Sequence, residues 1–490
     1  MEKGKIMNFS EIIKEETKWT QTENGADCKN TTDDALLDFF ATVGAMREWK
    51  DDKVIQNFEL SFLENPLYTI KALFYARDIR GGLGERKVFR ILIKHMTNKY
   101  SDILNKNIEL ICECGRYDDL YELIGTKSED AMWSYVHKQL IEDVDNFEKV
   151  ESVSLLAKWL KKADSKNKST KELGIYTAKK LGYTVYEYKR ICNKLRKYIN
   201  VTEIKMSNNE WADIEYSKVP SKAMNNYRNA FGRHDEEGFS KYIENVSNGV
   251  EKINASTLYP YDIVEKILYQ GDRSDVLKLQ WEALPNYVDG DNNILIMADV
   301  SGSMTGRPMA TSIGLAMYFA ERNKGAYHNL FMTFSANPQF VEVKGSDIYD
   351  KIGFIKRADW NSNTDLHKAM MKILELAIAN KCSQEEIPKA LVIVSDMQID
   401  SCIRSENRMS FYDIVSKEFE AYGYKIPNLI FWNVNSPSNS FLADKNSKGV
   451  QLVSGSSAST FKSLIDGLDK TAIELMYTVL DSERYSKVTL

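Results

Sequence analysis

Two patterns of apolar positions divide the chain. From Asp33 to about residue 285 they recur at helical spacing. Ala35-Leu36-Leu37-Phe39-Phe40-Val43-Met46 follows the N-cap candidates Thr32-Asp33-Asp34. Pro66 opens a helix that runs to Arg80, Gly81-Gly82-Leu83-Gly84 breaks it, and Glu85-Arg86-Lys87-Val88-Phe89 starts the next. More amphipathic pieces follow over 108–124, 129–150 and 151–163. Successive antiparallel helices of this kind predict a helical-repeat domain over 34–285, preceded by a polar arm, 1–33, with a turn at Asn24-Gly25. The turn-rich stretch Leu284-Pro285-Asn286-Tyr287-Val288-Asp289-Gly290 is the linker. Beyond it, over 286–490, short apolar runs alternate with helical ones. Strands are expected at 294–298, 328–334, 339–343, 390–395, 428–434 and 449–453. Helices are expected at 309–322, 347–355, 365–380, 410–422 and 460–475. That alternation makes a doubly wound, mostly parallel sheet, with 339–343 following its predecessor closely enough to form an antiparallel hairpin. The fold class is therefore α + α/β.

Composition changes this picture little. Hydrophobic residues make up 43% and charged residues 28% of the 490, as in a soluble globular protein. The net charge of −5 excludes a globally basic nucleic-acid binder but leaves local patches open. Six cysteines without a CxxC pair read as scattered thiols of a reducing compartment. Met1-Glu2-Lys3-Gly4-Lys5 is not the start of a signal peptide, and no apolar run approaches a membrane span, so a cytoplasmic protein without membrane contact is expected.

Residues 158–205 carry fourteen Lys or Arg against four acids, with tyrosines interleaved. Cationic stems among aromatics suit a phosphate backbone and stacked bases; the competing reading is a solvated helical face whose tyrosines pack inward. Lys161, Lys162, Lys179 and Lys180 stand for this segment as candidate RNA contacts, with Arg77, Arg80, Arg86 and Arg90 at the glycine corner. For that corner the competing reading is an ion-pair network. It is not a phosphate loop, since no strand precedes the glycines and the Gly-Lys-Ser/Thr ending is missing.

The most informative stretch is Ile294-Leu295-Ile296-Met297-Ala298-Asp299-Val300-Ser301-Gly302-Ser303, a buried-strand pattern that ends in oxygen donors and leads into a helix. Asp299, Ser301 and Ser303 suit a hard cation such as Mg²⁺ or Mn²⁺ better than zinc. A polar loop offers Thr364, and a second apolar strand, Lys389–Ser395, ends at Asp396. The spare carboxylate Asp365 reads as a helix cap.

Asp-x-Ser-x-Ser, then Thr, then a strand-ending Asp resembles the metal-ion-dependent adhesion site of von Willebrand factor A domains. The resemblance implies that Asp299, Ser301, Ser303, Thr364 and Asp396 surround one divalent cation and leave a position open for an acidic residue of a protein partner. The helical part resembles HEAT-type repeats. Its strings Tyr75-Ala76-Arg77-Asp78-Ile79-Arg80-Gly81-Gly82-Leu83-Gly84-Glu85-Arg86 and Val219-Pro220-Ser221, followed by such an A domain, resemble a domain-of-unknown-function family with bacteriophage members. More distantly, the layout is similar to the Ro autoantigen and its TROVE module, whose proteins bind small structured RNAs and single-stranded RNA ends. Two functions follow as expectations: a Ro-like ribonucleoprotein scaffold, or a cation-dependent protein-interaction module without nucleic acid. Catalysis is not expected, because neutral Ser and Thr ligands activate water poorly and no His or Glu is placed by the pattern as a base.

Overall fold

The computed structural model describes residues 17–288, 293–334, 337–356, 365–399 and 411–490. An N-terminal antiparallel hairpin pairs β1 (Trp19–Gln21) with β2 (Asp27–Lys29). The main sheet contains β3 (Ile294–Asp299), β4 (Leu330–Phe334), β5 (Phe340–Glu342), β6 (Ala390–Ser395), β7 (Asn428–Asn433) and β8 (Val450–Ser454), in the order β5-β4-β3-β6-β7-β8. Only β5 is antiparallel to its neighbour, as the closely following segment implied. The chain leaves β3 to one side for β4 and β5 and returns on the other for β6. The strand order therefore reverses between β3 and β6, whose carboxyl ends carry Asp299 and Asp396. Open α/β sheets bind ligands at that switch point.

Helices cover both faces of this sheet, and the helical part supplies many of them. On one face Leu295, Met297, Leu391, Ile393 and Phe431 join a core with Leu36, Phe39, Phe40 and Phe74. On the other face Ile296, Ala298, Val392 and Trp432 pack with Leu315 and Phe319 of the Arg307–Arg322 helix, and with Val264, Leu277 and Trp281. These last three belong to the Pro260–Gln270 and Asp275–Glu282 helices, which precede the linker. A third, smaller core around Ile214, Met224, Phe231 and Tyr242 stays within the helical part. Apolar packing thus crosses the linker on both faces.

Polar contacts repeat the crossing. Trp49 Nε1 donates to the Ser436 carbonyl at 2.6 Å, Lys445 N to the Thr32 carbonyl at 3.0 Å, and Gly44 N to Ser454 Oγ at 3.0 Å. Arg484 pairs with the fully buried Asp78 carboxylate through two nitrogens, and Tyr485 Oη donates to it at 3.2 Å. Asp78 also accepts from Arg80 N at 2.9 Å. The glycine corner is a tight helix–turn–helix junction. Gly84 has a positive φ of 65° and lies against the Tyr259 hydroxyl, so a side chain there is both strained and blocked.

Two expectations need correction. The helix predicted over 460–475 is two, Phe461–Ile465 and Ala472–Leu480, separated around Gly467, where a Cβ would lie 2.9 Å from Leu475 Cδ1. Arg77 belongs to the interior: its Nε donates to Asp119 Oδ2 at 2.9 Å and both groups are buried.

Gly44 tests the docking of the helical part on the sheet. A Cβ at this position would sit 2.8 Å from Gly455 N and from the Ser454 carbonyl carbon, both backbone atoms that cannot step aside. Gly44→Ala is expected to destabilise the whole chain by about 1–3 kcal/mol, the usual range for overpacking, read as a lowered urea midpoint with a single transition. Gly125→Ala, which meets no atom but has a φ of 75°, serves as the local control.

Candidate metal centre

The site is assembled at two adjacent strand ends. β3 and β6 are continuous apolar runs covered on both faces, so each must stop where the chain turns polar: β3 at Asp299, and β6 at Ser395 with Asp396 directly after it. After Asp299 the chain makes a short 3₁₀ turn, Gly302–Met304, and bends at Gly306 into the Arg307–Arg322 helix, with Pro308 in its first turn.

Asp299 is completely buried. Its Oδ1 accepts from Ser301 N at 2.9 Å and its Oδ2 from Ser395 Oγ at 2.6 Å. Ser301 Oγ and Ser303 Oγ are 3.0 Å apart. Asp396, also buried, accepts from Gln398 N at 3.1 Å and from the Ser303 side chain. Ser303 is exposed, which opens one side of the cluster to solvent. Burial, then the charge of Asp396, push the Asp299 carboxyl up to about 6 against the hydrogen bonds from Ser395 and Ser301. Asp396 is raised as well, chiefly by burial, with Glu23 adding to it and the Ser303 and Gln398 bonds opposing. Among the described residues, neither carboxylate has a Lys or Arg partner.

Two buried carboxylates that repel each other, two convergent hydroxyls and an open side form an all-oxygen donor set suited to a hard divalent cation. The sequence pattern thus brings Asp299, Ser301, Ser303 and Asp396 together. Thr364 lies outside the described residues. Asp365 caps the Leu366–Asn380 helix, accepting from Lys368 N at 2.9 Å. Ser395 and Gln398, which hold the two carboxylates, were not singled out in the sequence. The signal for Ser395 was available, since it is the only hydroxyl residue in an otherwise apolar β6 and adjoins Asp396.

The candidate RNA contacts divide between paired and exposed groups. Arg77 is removed by burial. Arg90 is tied to Asp119 at 2.7 Å, Asp118 at 3.2 Å and Glu122 at 3.1 Å. Lys180 pairs with Glu129 at 3.2 Å and Asp130 at 3.7 Å, and Lys161 lies over the Tyr121 ring at 5.0 Å. Arg80, Arg86, Lys162 and Lys179 are exposed. Most of the tyrosines of the basic segment turn inward or bond locally. Tyr188 is buried and donates to the Lys161 carbonyl, Tyr176 donates to Glu129, and Tyr198 donates to the Glu151 carbonyl; Tyr186 is exposed.

Comparison with known proteins returns two families. One described as a domain of unknown function, DUF2828, matches residues 22–169 and 150–290, and another described as a domain of unknown function, DUF7788, matches 293–486. A protein of Acanthamoeba polyphaga mimivirus, described as uncharacterized, is 28% identical over 500 residues, which cover 94% of this chain and 87% of the relative. Among the described residues no helix is long and apolar enough to cross a membrane.

The raised Asp299 carboxyl gives a stability test. Because the folded chain holds this proton more tightly than the unfolded chain, ionised Asp299 weakens the cation-free fold above pH 6, by on the order of 3 kcal/mol. The penalty fades as pH falls through 6 and is gone below the ordinary carboxyl value. In EDTA, Asp299→Asn is expected to melt above wild type at pH 8 and to lose that advantage near pH 4. A variant less stable than wild type at pH 8 contradicts the assigned repulsion.

Proposed function

The chain belongs to the DUF2828 family, and we propose that it is a non-catalytic binding protein with a von Willebrand factor A-like metal-ion-dependent adhesion site. In this reading Asp299, Ser301, Ser303 and Asp396, with Thr364 as a further donor, hold one Mg²⁺ or Mn²⁺. The cation is offered to an acidic residue of a protein partner. The observation that carries the reading is the meeting of two buried, mutually repelling carboxylates and two hydroxyls at the sheet's switch point. Only Asp299 and Asp396 bring charge to this donor set, and hard divalent cations readily take further oxygen ligands. That favours capture of an anionic carboxylate over activation of water.

A second reading keeps RNA as a partner of a HEAT-like, TROVE-like helical part. It is favoured by one feature: the Arg116 guanidinium lies 4.3 Å from the centre of the Trp159 ring, with Lys158 Nζ at 5.7 Å from the same ring. The exposed Lys162 lies nearby in the chain. A charged, aromatic surface of this type can grip a single strand. The two readings are compatible, since they use different parts of the molecule.

Cation binding to the folded state alone stabilises it by mass action, about 2.7 kcal/mol at roughly a hundredfold excess over Kd. MgCl₂ or MnCl₂ in the millimolar range is therefore expected to raise the wild-type melting temperature by several degrees at pH 7.5. The rise should shrink at pH 5, where Asp299 holds a proton, and be absent in Asp299→Asn. An unchanged wild-type melting curve overturns the metal reading. For the second reading, RNA that co-purifies should leave with rising salt and be lost in a Lys162→Glu, Lys179→Glu double variant; binding indifferent to salt and to these changes removes it.

A further inference from the structure

The tip of the N-terminal hairpin reaches the metal loop. Residues 22–25 form the turn between β1 and β2, closed by Gly25 N donating to the Thr22 carbonyl at 3.0 Å. Three bonds fasten this tip to the segment just after Asp396. Thr22 Oγ1 donates to the Ile399 carbonyl at 2.6 Å, Glu23 N to Gln398 Oε1 at 2.6 Å, and Asn24 Nδ2 to the Gln398 carbonyl at 2.7 Å. The same Gln398 donates its backbone N–H to Asp396 Oδ1. One glutamine therefore touches both the Glu23 backbone and a carboxylate of the cation site.

The base of the hairpin is anchored independently. Lys29 and Phe441 exchange backbone hydrogen bonds at 2.9 Å in both directions, and Lys29 Nζ lies 3.3 Å from Asp444. Such a clamp holds the hairpin on the sheet domain whatever its tip does. The Glu23 carboxylate is exposed, and among the described residues it has no hydrogen-bond or ion-pair partner. Its charge is felt at Asp396, and bringing a further acid up to two buried ones is unfavourable unless a cation joins them.

We propose that Glu23 is the chain's own carboxylate ligand for the cation held at Asp299 and Asp396. It occupies the position that a partner's acidic residue would take, so that a partner must displace the hairpin tip. The proposal rests on the cation reading above and names how that site is regulated. Glu23 is poised for exchange because a short two-stranded ribbon carries it: the base stays fixed through Lys29 while the tip is held by hydrogen bonds to Gln398 and Ile399. Binding of an external carboxylate is then weakened by the local concentration of the internal one, and any change that loosens the tip strengthens it.

The test is calorimetric titration of the full chain with MnCl₂ at pH 7.5, together with hydrogen exchange of the tip amides. Wild type, Glu23→Gln, Glu23→Asp and Asp299→Asn are compared. Wild type is expected to bind one Mn²⁺ and to slow exchange at residues 22–25 when it does. Glu23→Gln should bind about tenfold more weakly and lose the slowing, with partial recovery in Glu23→Asp. Equal affinity and equal tip protection in wild type and Glu23→Gln overturn the internal ligand while leaving the cation site standing. No Mn²⁺ binding by wild type overturns both. Glu23 is exposed and its charge opposes that of Asp396, so Glu23→Gln is expected to melt at or slightly above wild type in EDTA, which separates a lost ligand from a damaged fold.

Discussion

Asp78 is the group on which the two parts of the chain converge. Its carboxylate is fully buried, and a charge in that position survives only if every lone pair finds a donor. The donors come from opposite ends of the chain: the Arg80 amide from the glycine corner, and the Arg484 guanidinium and Tyr485 hydroxyl from the last helical turns. One residue earlier, Arg77 is buried against Asp119, which also receives Arg90. The string from Tyr75 to Arg86 is thus dense in charge because it satisfies charge internally. Remove the pairing at Asp78 and the corner loses its reason to be tight, while the C-terminal segment loses its anchor on the helices.

The candidate metal centre follows the opposite rule. Asp299 and Asp396 are as buried as Asp78, yet hydroxyls and amides meet them instead of cations. Hydrogen bonds soften the repulsion without neutralising it, and Asp299 retains a raised proton affinity. Arginine meets Asp78 and Asp119, whereas hydroxyls and amides meet Asp299 and Asp396, as they also do Asp38 and Asp143. What sets Asp299 and Asp396 apart is that two such carboxylates meet at the mouth of a sheet, a place where structure gives up stability and function is expected.

The sheet was legible because burial on both faces writes β3 and β6 as unbroken apolar runs, each ended by an acid, and the antiparallel β5 was legible from the short connection before it. That Asp299, Ser301, Ser303 and Asp396 meet could be read for the same reason: strand ends place them, and strand ends are visible in sequence. What could not be read was long-range. Nothing local to Arg77 announces Asp119, so the sequence left a basic surface and an ion-pair network both open at that corner and did not show that Arg77 is buried. Nothing local to Glu23 announces Gln398, so the polar arm showed its turn at Asn24-Gly25 but not what that turn packs on. For Tyr188 and Tyr176 stacking and inward packing both stayed open, because their inward orientation depends on partners elsewhere in the fold. The break at Gly467 was missed because the apolar spacing continues across it while the backbone does not.

The shared core also sets an order of events during synthesis. The Ala35–Thr42 helix, buried along nearly its whole length, rests partly on β8. On the ribosome those two elements are separated by some 400 residues of translation, roughly 20–80 s at 5–20 residues per second. Through that interval Leu36, Phe39 and Phe40 lack the surface that finally covers them. A nascent chain of this design waits, with its first helices made and one greasy side uncovered, for its last strand to arrive.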